Sequence, residues 1–377
     1  MKKLSVLTLA IISSTFLLFG CGSDESNTAN MPEIIVEDIE ASETVEEEIT
    51  EVETDGDVPP EEGMVRSTLT NEWVDEEVAS LRPIAVMIPN DASTIPQYNI
   101  SNADIIYECL VEGGITRLMA IFEDWTELER IGNIRSCRDY YVYWAFEWDS
   151  VYIHAGGPFY IDEVIGRSDT NNINLLTAPS SVSYRSTDRS APQNLYVDGK
   201  DVYDEIVRLD YSLTAREDYV DETHFKFASA SEPNLLESYG SDAVVAKTID
   251  LSDAYPVTET VFTFNETDGL YYRSQDPSDG AHMDAATDTQ LAFSNVLIQF
   301  TYHEVRDASG YLAFQCIDST RDGWFFTEGK GIHVNWIKTS DYSATRYYDD
   351  DGNEIELNTG KTAICIVQDG DTFSYEG

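Results

Sequence analysis

The chain has 377 residues and a formal net charge of −47, with 23 Lys and Arg against 70 Asp and Glu. A surface that negative repels polyanions, which argues against nucleic acid as a partner and against general charge attraction to an anionic wall polymer. Five cysteines with no CxxC spacing argue against a zinc or iron–sulfur site.

Residues 1–20 read as an export signal. Lys2 and Lys3 supply its positive start, and residues 4–19 form an apolar run interrupted only by small hydroxyl side chains. That run falls short of the roughly 20 residues a spanning helix needs. It closes on Leu18-Phe19-Gly20-Cys21, which resembles a lipobox: small Gly20 precedes the scissile bond, and the Cys21 thiol takes a diacylglyceryl group. Thioether-linked and N-linked acyl chains together meet the need for more than one chain in stable anchoring. The expected address is the outer face of the cytoplasmic membrane of a Gram-positive-type bacterium, with the lipid bilayer as first partner. Residues 21–80 follow as a linker. Between Gly22 and Met64 stand sixteen Asp or Glu and no Lys or Arg. Such a stretch buries too little apolar surface to offset ordering entropy, which predicts a disordered, self-repelling spacer.

About 300 residues remain, enough for two domains with cores of their own. In the first, 81–231, Ile84-Ala85-Val86-Met87-Ile88 reads as a buried strand ending at Pro89-Asn90-Asp91. Further strands are expected over 103–111, ahead of Glu112-Gly113-Gly114, and over 116–122. Residues 139–148 are helix-compatible, 150–154 form a strand closing on Ala155-Gly156-Gly157, and helices are expected over 160–165 and 201–209. Strands alternating with helices indicate α/β layers. From 232 to 377 the texture changes to short β-rich runs, at 243–249, 258–264, 269–273, 295–302, 311–316, 331–338, 344–348 and 361–367. Turn signals separate them, among them Asp268-Gly269, Asp322-Gly323 and Asp351-Gly352-Asn353. The expected fold class is α+β: an N-terminal mixed α/β layered domain followed by a mostly antiparallel β domain, after a disordered acidic tether. Cys109, Cys137, Cys316 and Cys365 sit in apolar contexts. Export permits the disulfides 109–137 and 316–365, and buried free thiols fit equally well.

Chemistry-bearing residues concentrate at the expected strand ends, as Glu108, Glu112, Arg117, Arg135, Arg138 and His154. In a chain with so few bases, three arginines at strand ends, Arg117, Arg135 and Arg138, suggest bidentate capture of phosphate or carboxylate. Ligands of open α/β sheets bind beyond the carboxyl ends of strands. Internal salt bridges to Asp104, Glu108, Glu112 or Asp139 are the structural alternative. Arg185, Arg189 and Asn194, in a loop ahead of a helix, are candidates to complete the same pocket. His154, beside two glycines, is the best candidate general base, weighed against a structural role. Gly280-Ala281-His282-Met283-Asp284 sets a histidine and a carboxylate two apart, too few ligands for a metal. No nucleophile elbow, zinc-protease, Walker or dinucleotide motif occurs. No cofactor is expected, a divalent cation apart.

At these residues the chain resembles the YerB-like lipoproteins of Gram-positive bacteria, a family with a two-part domain of unknown function. The likeness spans residues 82–367. It rests on Arg82-Pro83-Ile84-Ala85-Val86-Met87-Ile88, Val111-Glu112-Gly113-Gly114-Ile115-Thr116-Arg117, Ile131-Gly132-Asn133-Ile134-Arg135-Ser136-Cys137-Arg138, His154-Ala155-Gly156-Gly157, Gly280-Ala281-His282-Met283-Asp284 and Gly360-Lys361-Thr362. It departs at Cys137, where a small residue is expected, and at Pro89-Asn90-Asp91, where Asp-Asn is expected. The resemblance implies a location and a domain plan, and no activity. A looser similarity is to LytR–CpsA–Psr phosphotransferases. It would imply Arg135 and Arg138 on a pyrophosphate, with Asp104 or Asp139 positioning Mg²⁺.

Two functions follow as expectations. One is a membrane-anchored lipoprotein that binds a cell-wall synthesis protein or a wall fragment. The other is an envelope enzyme acting on a phosphorylated or glycan substrate. Arginines neutralised by Glu108, Glu112 and Asp139 would remove the second.

Overall fold

The apolar run after Arg82 forms strand β1 (Ile84–Pro89), and all six of its residues are buried. A strand reads as a continuous apolar run when both faces of its sheet are covered. The computed structural model describes residues 58–219, 224–275 and 280–377; the signal segment, Cys21 and the acidic stretch through residue 57 lie outside the described residues. Strands β2 (Ile105–Leu110) and β3 (Thr116–Phe122) are as enclosed as β1, and β3 pairs antiparallel with both β1 and β2. Helix α1 (Asp139–Phe146), β4 (Val151–His154), β5 (Asn172–Asn174) and helix α2 (Gly199–Arg208) follow. β1, β4 and β5 run parallel. α1 is apolar nearly all round, and six of its residues are buried, as befits a helix enclosed on most sides. α2 buries Val202 and Ile206, four apart on one face.

After residue 232 come β6 (Val244–Val245), β7 (Thr248–Asp250), β8 (Thr260–Asn265), β9 (Leu270–Gln275), β10 (Ala292–Phe293) and β11 (Asn295–Thr301). β12 (Asp318–Thr327), β13 (Lys330–Lys338), β14 (Arg346–Tyr348), β15 (Thr362–Gln368) and β16 (Ser374–Glu376) complete the chain. Most pair antiparallel, but β15 lies parallel between β11 and β2. One eleven-stranded sheet results, in the order β6-β13-β12-β11-β15-β2-β3-β1-β4-β5, with β14 added on β13. The sequence boundary at 231/232 thus separates two stretches whose strands meet in one sheet and share one buried core. The molecule is mostly β, with few helices.

Alternation along β2 shows how the layers stack, because successive side chains of a strand point to opposite faces. Tyr107 stacks on Trp144 of α1, with ring centroids 5.8 Å apart. Its neighbour Glu108 reaches Thr260 and Arg273, which belong to a second, five-stranded sheet ordered β10-β9-β8-β7-β16. The central strands are therefore sandwiched between α1 and this smaller sheet.

Several expectations give way. The linker, read to residue 80, ends by Met64: residues Met64–Arg66 and Trp73–Asp75 form a hairpin, and Leu69 is buried within it. The acidic run stops there, and Val65, Leu69, Trp73 and Val74 supply apolar surface to bury. Asp322-Gly323 is no turn but lies inside β12, and the two-residue turn is Glu328-Gly329, with both residues at positive φ. Gly323 is there for proximity, since a Cβ would stand 2.6 Å from the Ile298 carbonyl oxygen of the adjoining strand. The run 243–249 splits, its two ends entering different sheets. Cys109, Cys137, Cys316 and Cys365 are free, buried thiols.

Candidate functional site

The segment 134–138 runs extended along the carboxyl ends of β1 and β4. The Arg135 N–H donates to the Met87 carbonyl at 2.9 Å, and the Cys137 N–H donates to the Gly156 carbonyl at 2.9 Å. Arg117 sits directly opposite Pro89 at the start of β3, and its Nη1 donates to the Ser136 carbonyl at 2.9 Å. Backbone pairing alone thus sets Arg117 and the Arg135–Arg138 segment side by side. Arg138 is held by Glu112 through a two-pronged contact, its Nε donating to Oε1 at 2.7 Å. Arg117 and Arg135 make no ion pair with any described residue. Burial and the neighbouring Arg138 pull the Arg117 guanidinium down to about 10. Burial also lowers Arg135, although Asp91 opposes the shift. The Arg135 Nε is buried without a hydrogen-bond partner.

Glu112 thus neutralises Arg138, as the alternative expected, whereas Glu108 and Asp139 are engaged elsewhere. Glu108 is buried on the far face of β2, where it accepts from Asn90, Thr116, Thr260 and Arg273. Asp139, at the start of α1, pairs with Arg306. An aromatic rim adjoins the arginines: Arg138 lies 5.5 Å from the Tyr311 ring, Tyr311 packs edge-on to Tyr160, and Arg306 lies 4.8 Å over Tyr160. Phe159, 70 % exposed, stacks against Tyr160. Arg306 and Tyr311 come from a hairpin more than 160 residues downstream, so no local pattern in the sequence pointed to them.

The other expected site residues make no hydrogen bond or ion pair with these arginine side chains. His154 is fully buried, with Nδ1 2.9 Å from the Gly156 carbonyl and Nε2 3.3 Å from Asn172 Oδ1; burial lowers its pKa. Gly156 and Gly157 are packed by the chain itself, a Cβ at either meeting Leu176 or Ile161 within 2.7 Å. Arg189 donates to the carbonyls of Thr94 and Pro96, tying its loop to the segment after β1. Arg185 is exposed and donates to Asn194, which is itself buried and holds the Ser186 and Arg189 carbonyls. Asp104 precedes β2 at the end away from the arginines, roughly 20 Å along a six-residue strand. There it accepts the Glu123 N–H at 2.7 Å, and burial raises it to about 6. Among the described residues no three His, Cys, Asp or Glu side chains gather as a metal site.

Fold and site together define a two-part protein, its mixed sheet carrying an arginine cluster at the carboxyl ends of parallel strands. Residues 69–212 match the N-terminal domain, and residues 249–364 the C-terminal domain, of the protein-of-unknown-function family DUF3048. A similar chain is YerB of Bacillus subtilis (strain 168), proposed in its name to be a lipoprotein; it is 27% identical over 323 residues, 84% of this chain and 90% of that one. The crystal structure of the Bacillus subtilis YerB protein matches with a TM-score of 0.69 at 24% identity, covering 82% of this chain and 99% of that one. The chain belongs to the YerB-like, two-part family of proteins of unknown function. Arg117, Arg135 and Arg138 fall within its N-terminal part, and Arg273 and His282 within its C-terminal part.

Proposed function

We propose that the protein is a lipoprotein held by lipid on Cys21 at the outer face of the cytoplasmic membrane, where it binds a wall-derived fragment bearing carboxylate or phosphate. The lipobox-like Leu18-Phe19-Gly20-Cys21 and the acidic spacer support the address, as does the name of the Bacillus subtilis relative. No helix among the described residues is long and apolar enough to cross a membrane. One observation carries the ligand class: in a chain of net charge −47, Arg117 and Arg135 border the same strand-end segment, and neither makes an ion pair with a carboxylate among the described residues. A buried cation without a counter-charge is costly, and a bound anion removes that cost. Arg135, the more exposed of the two, is the arm a ligand meets. Tyr160, Tyr311 and Phe159 offer ring faces for the remainder of a sugar or peptide.

Binding is favoured over catalysis by the commitments of the remaining groups. The His154 ring lies against Gly156 and Asn172, Asp139 pairs with Arg306, and Asp104 lies at the opposite end of β2. The test is capture of muropeptides from a wall digest by the purified protein, against an Arg117→Ala/Arg135→Ala variant. Equal capture by both proteins removes the cluster from the account.

A further inference from the structure

The motif Gly360-Lys361-Thr362 takes no part in the arginine site. It borders a cavity of about 390 Å³ beside the start of β15, at the same end of the large sheet as Asp104. That volume falls within the roughly 300–1,000 Å³ of small-molecule sites. The cavity sits on the seam between the family's two parts. Ser101 and Asn102 line it from the N-terminal part, and Thr287, Thr289, Gln290 and Ser294 from the C-terminal part. A second cavity of about 160 Å³ adjoins it and shares Leu270 and Ser294 as walls, so the two make one elongated groove.

Gln290, Ala292 and Ser294 alternate along the segment that forms β10, which puts their side chains on one side. Gly360 has φ of 120°, and a Cβ there would strike the Ser294 hydroxyl, so glycine is what leaves that hydroxyl in the wall. Asn102 Nδ2 donates to Asn99 Oδ1 and Gln290 Nε2 to the Arg273 carbonyl, both at 2.8 Å. Both residues are half-exposed, and their amide oxygens accept from no described residue. The Ser101 and Thr287 hydroxyls stand 2.9 Å apart, and those of Thr287 and Thr289 2.7 Å. Lys361 Nζ donates to the Ser101 carbonyl and pairs with no carboxylate among the described residues. Burial lowers its pKa, opposed by Asp104, Glu72 and Asp284. Glu72 is exposed and lines the same cavity. An anion therefore meets Glu72 in a chain of net charge −47, and a cation meets Lys361. A neutral ligand dense in hydroxyls satisfies both, because each hydroxyl donates and accepts.

We propose that this groove binds a run of uncharged sugar residues, with ring hydroxyls between Lys361 and Glu72 and a ring C–H face on Leu270 and Ala292. The groove stands independently of the arginine cluster. Calorimetric titration of the full chain with tetra-N-acetylchitotetraose and with cellotetraose tests it, and the pair separates an amino-sugar strand from a plain hexose polymer. At least one of the two binds. Ala292→Phe and Lys361→Met each weaken that binding at least tenfold. Ala292 is half-exposed, so its replacement fills the groove without touching the core, and it decides the matter if Lys361→Met fails to fold. No binding of either sugar by the unaltered protein, or unchanged affinity in Ala292→Phe, overturns the proposal. Binding of inorganic phosphate in place of either sugar, abolished by Lys361→Met, marks an anion site and overturns it too. Because neither sugar carries charge, the arginine reading can fail while this one stands.

Discussion

Replacing Arg273 with methionine should be among the most damaging single changes in the C-terminal half. Arg273 Nη2 lies 3.1 and 3.0 Å from the two Glu108 carboxylate oxygens, and the side chains are 1% and 3% exposed. The contact ties the five-stranded sheet to the middle of the large one. At that separation, an effective dielectric near 20 gives roughly 5 kcal/mol of attraction, partly offset by desolvation of both charges. Removing one partner leaves the Glu108 carboxyl buried without its cation, with only Asn90, Thr116 and Thr260 donating to it. Loss of about 3–5 kcal/mol follows, a large share of a stability of roughly 5–15 kcal/mol. Glu108→Gln should cost a similar amount, and the double variant much less than the two losses added. Guanidinium unfolding followed by tryptophan fluorescence measures all three. A cost below about 1 kcal/mol for Arg273→Met, or strictly additive losses, would refute the reasoning.

Burial, aided by Asp104, Asp124 and Glu72, pushes the Glu123 carboxyl up to about 7. The folded state then holds this proton more tightly than the unfolded chain, so its stabilising contribution is full below about pH 4.5 and is lost as pH rises towards 7. Glu123→Gln should reduce the decline in stability between pH 5 and pH 8, by on the order of 2–3 kcal/mol; an unchanged slope contradicts this. The thiols of Cys109, Cys137, Cys316 and Cys365 are buried, and burial raises each of them. In a Cys21→Ala chain, a thiol reagent should label none of the four until denaturant is added, and rapid labelling at neutral pH argues against the packing described. Gly323→Ala places a Cβ against the Ile298 carbonyl and should cost roughly 1–3 kcal/mol in thermal unfolding; a neutral change would mean that β11 and β12 yield easily.

The strands were legible wherever a run is buried on both faces, as at Ile84–Pro89 and Thr116–Phe122, because a continuous apolar stretch bounded by turn residues has few other readings. Asp322-Gly323 misled because the glycine serves close approach to Ile298 rather than a turn. Composition signals such a residue but not which of the two uses it has. Within the site, the Arg117, Arg135 and Arg138 grouping was visible from spacing at strand ends. Partner choice was not: Glu108 pairs with Arg273 of β9, and Asp139 with Arg306 of the hairpin that follows β11, both far away in the sequence. The linker was overextended for a local reason. Its acidic composition dominates up to Met64, and the few apolar residues that follow suffice only because the folded body receives Leu69.

The most direct test of the central claim is a calorimetric titration of the full chain with a purified muropeptide carrying a free stem-peptide carboxylate. The same titration is run on Arg135→Ala and with the amidated muropeptide. The account predicts binding by the unaltered chain that weakens with salt and is lost at least tenfold in either control. Equal affinity of the unaltered chain and Arg135→Ala, or no binding by the unaltered chain, would contradict it.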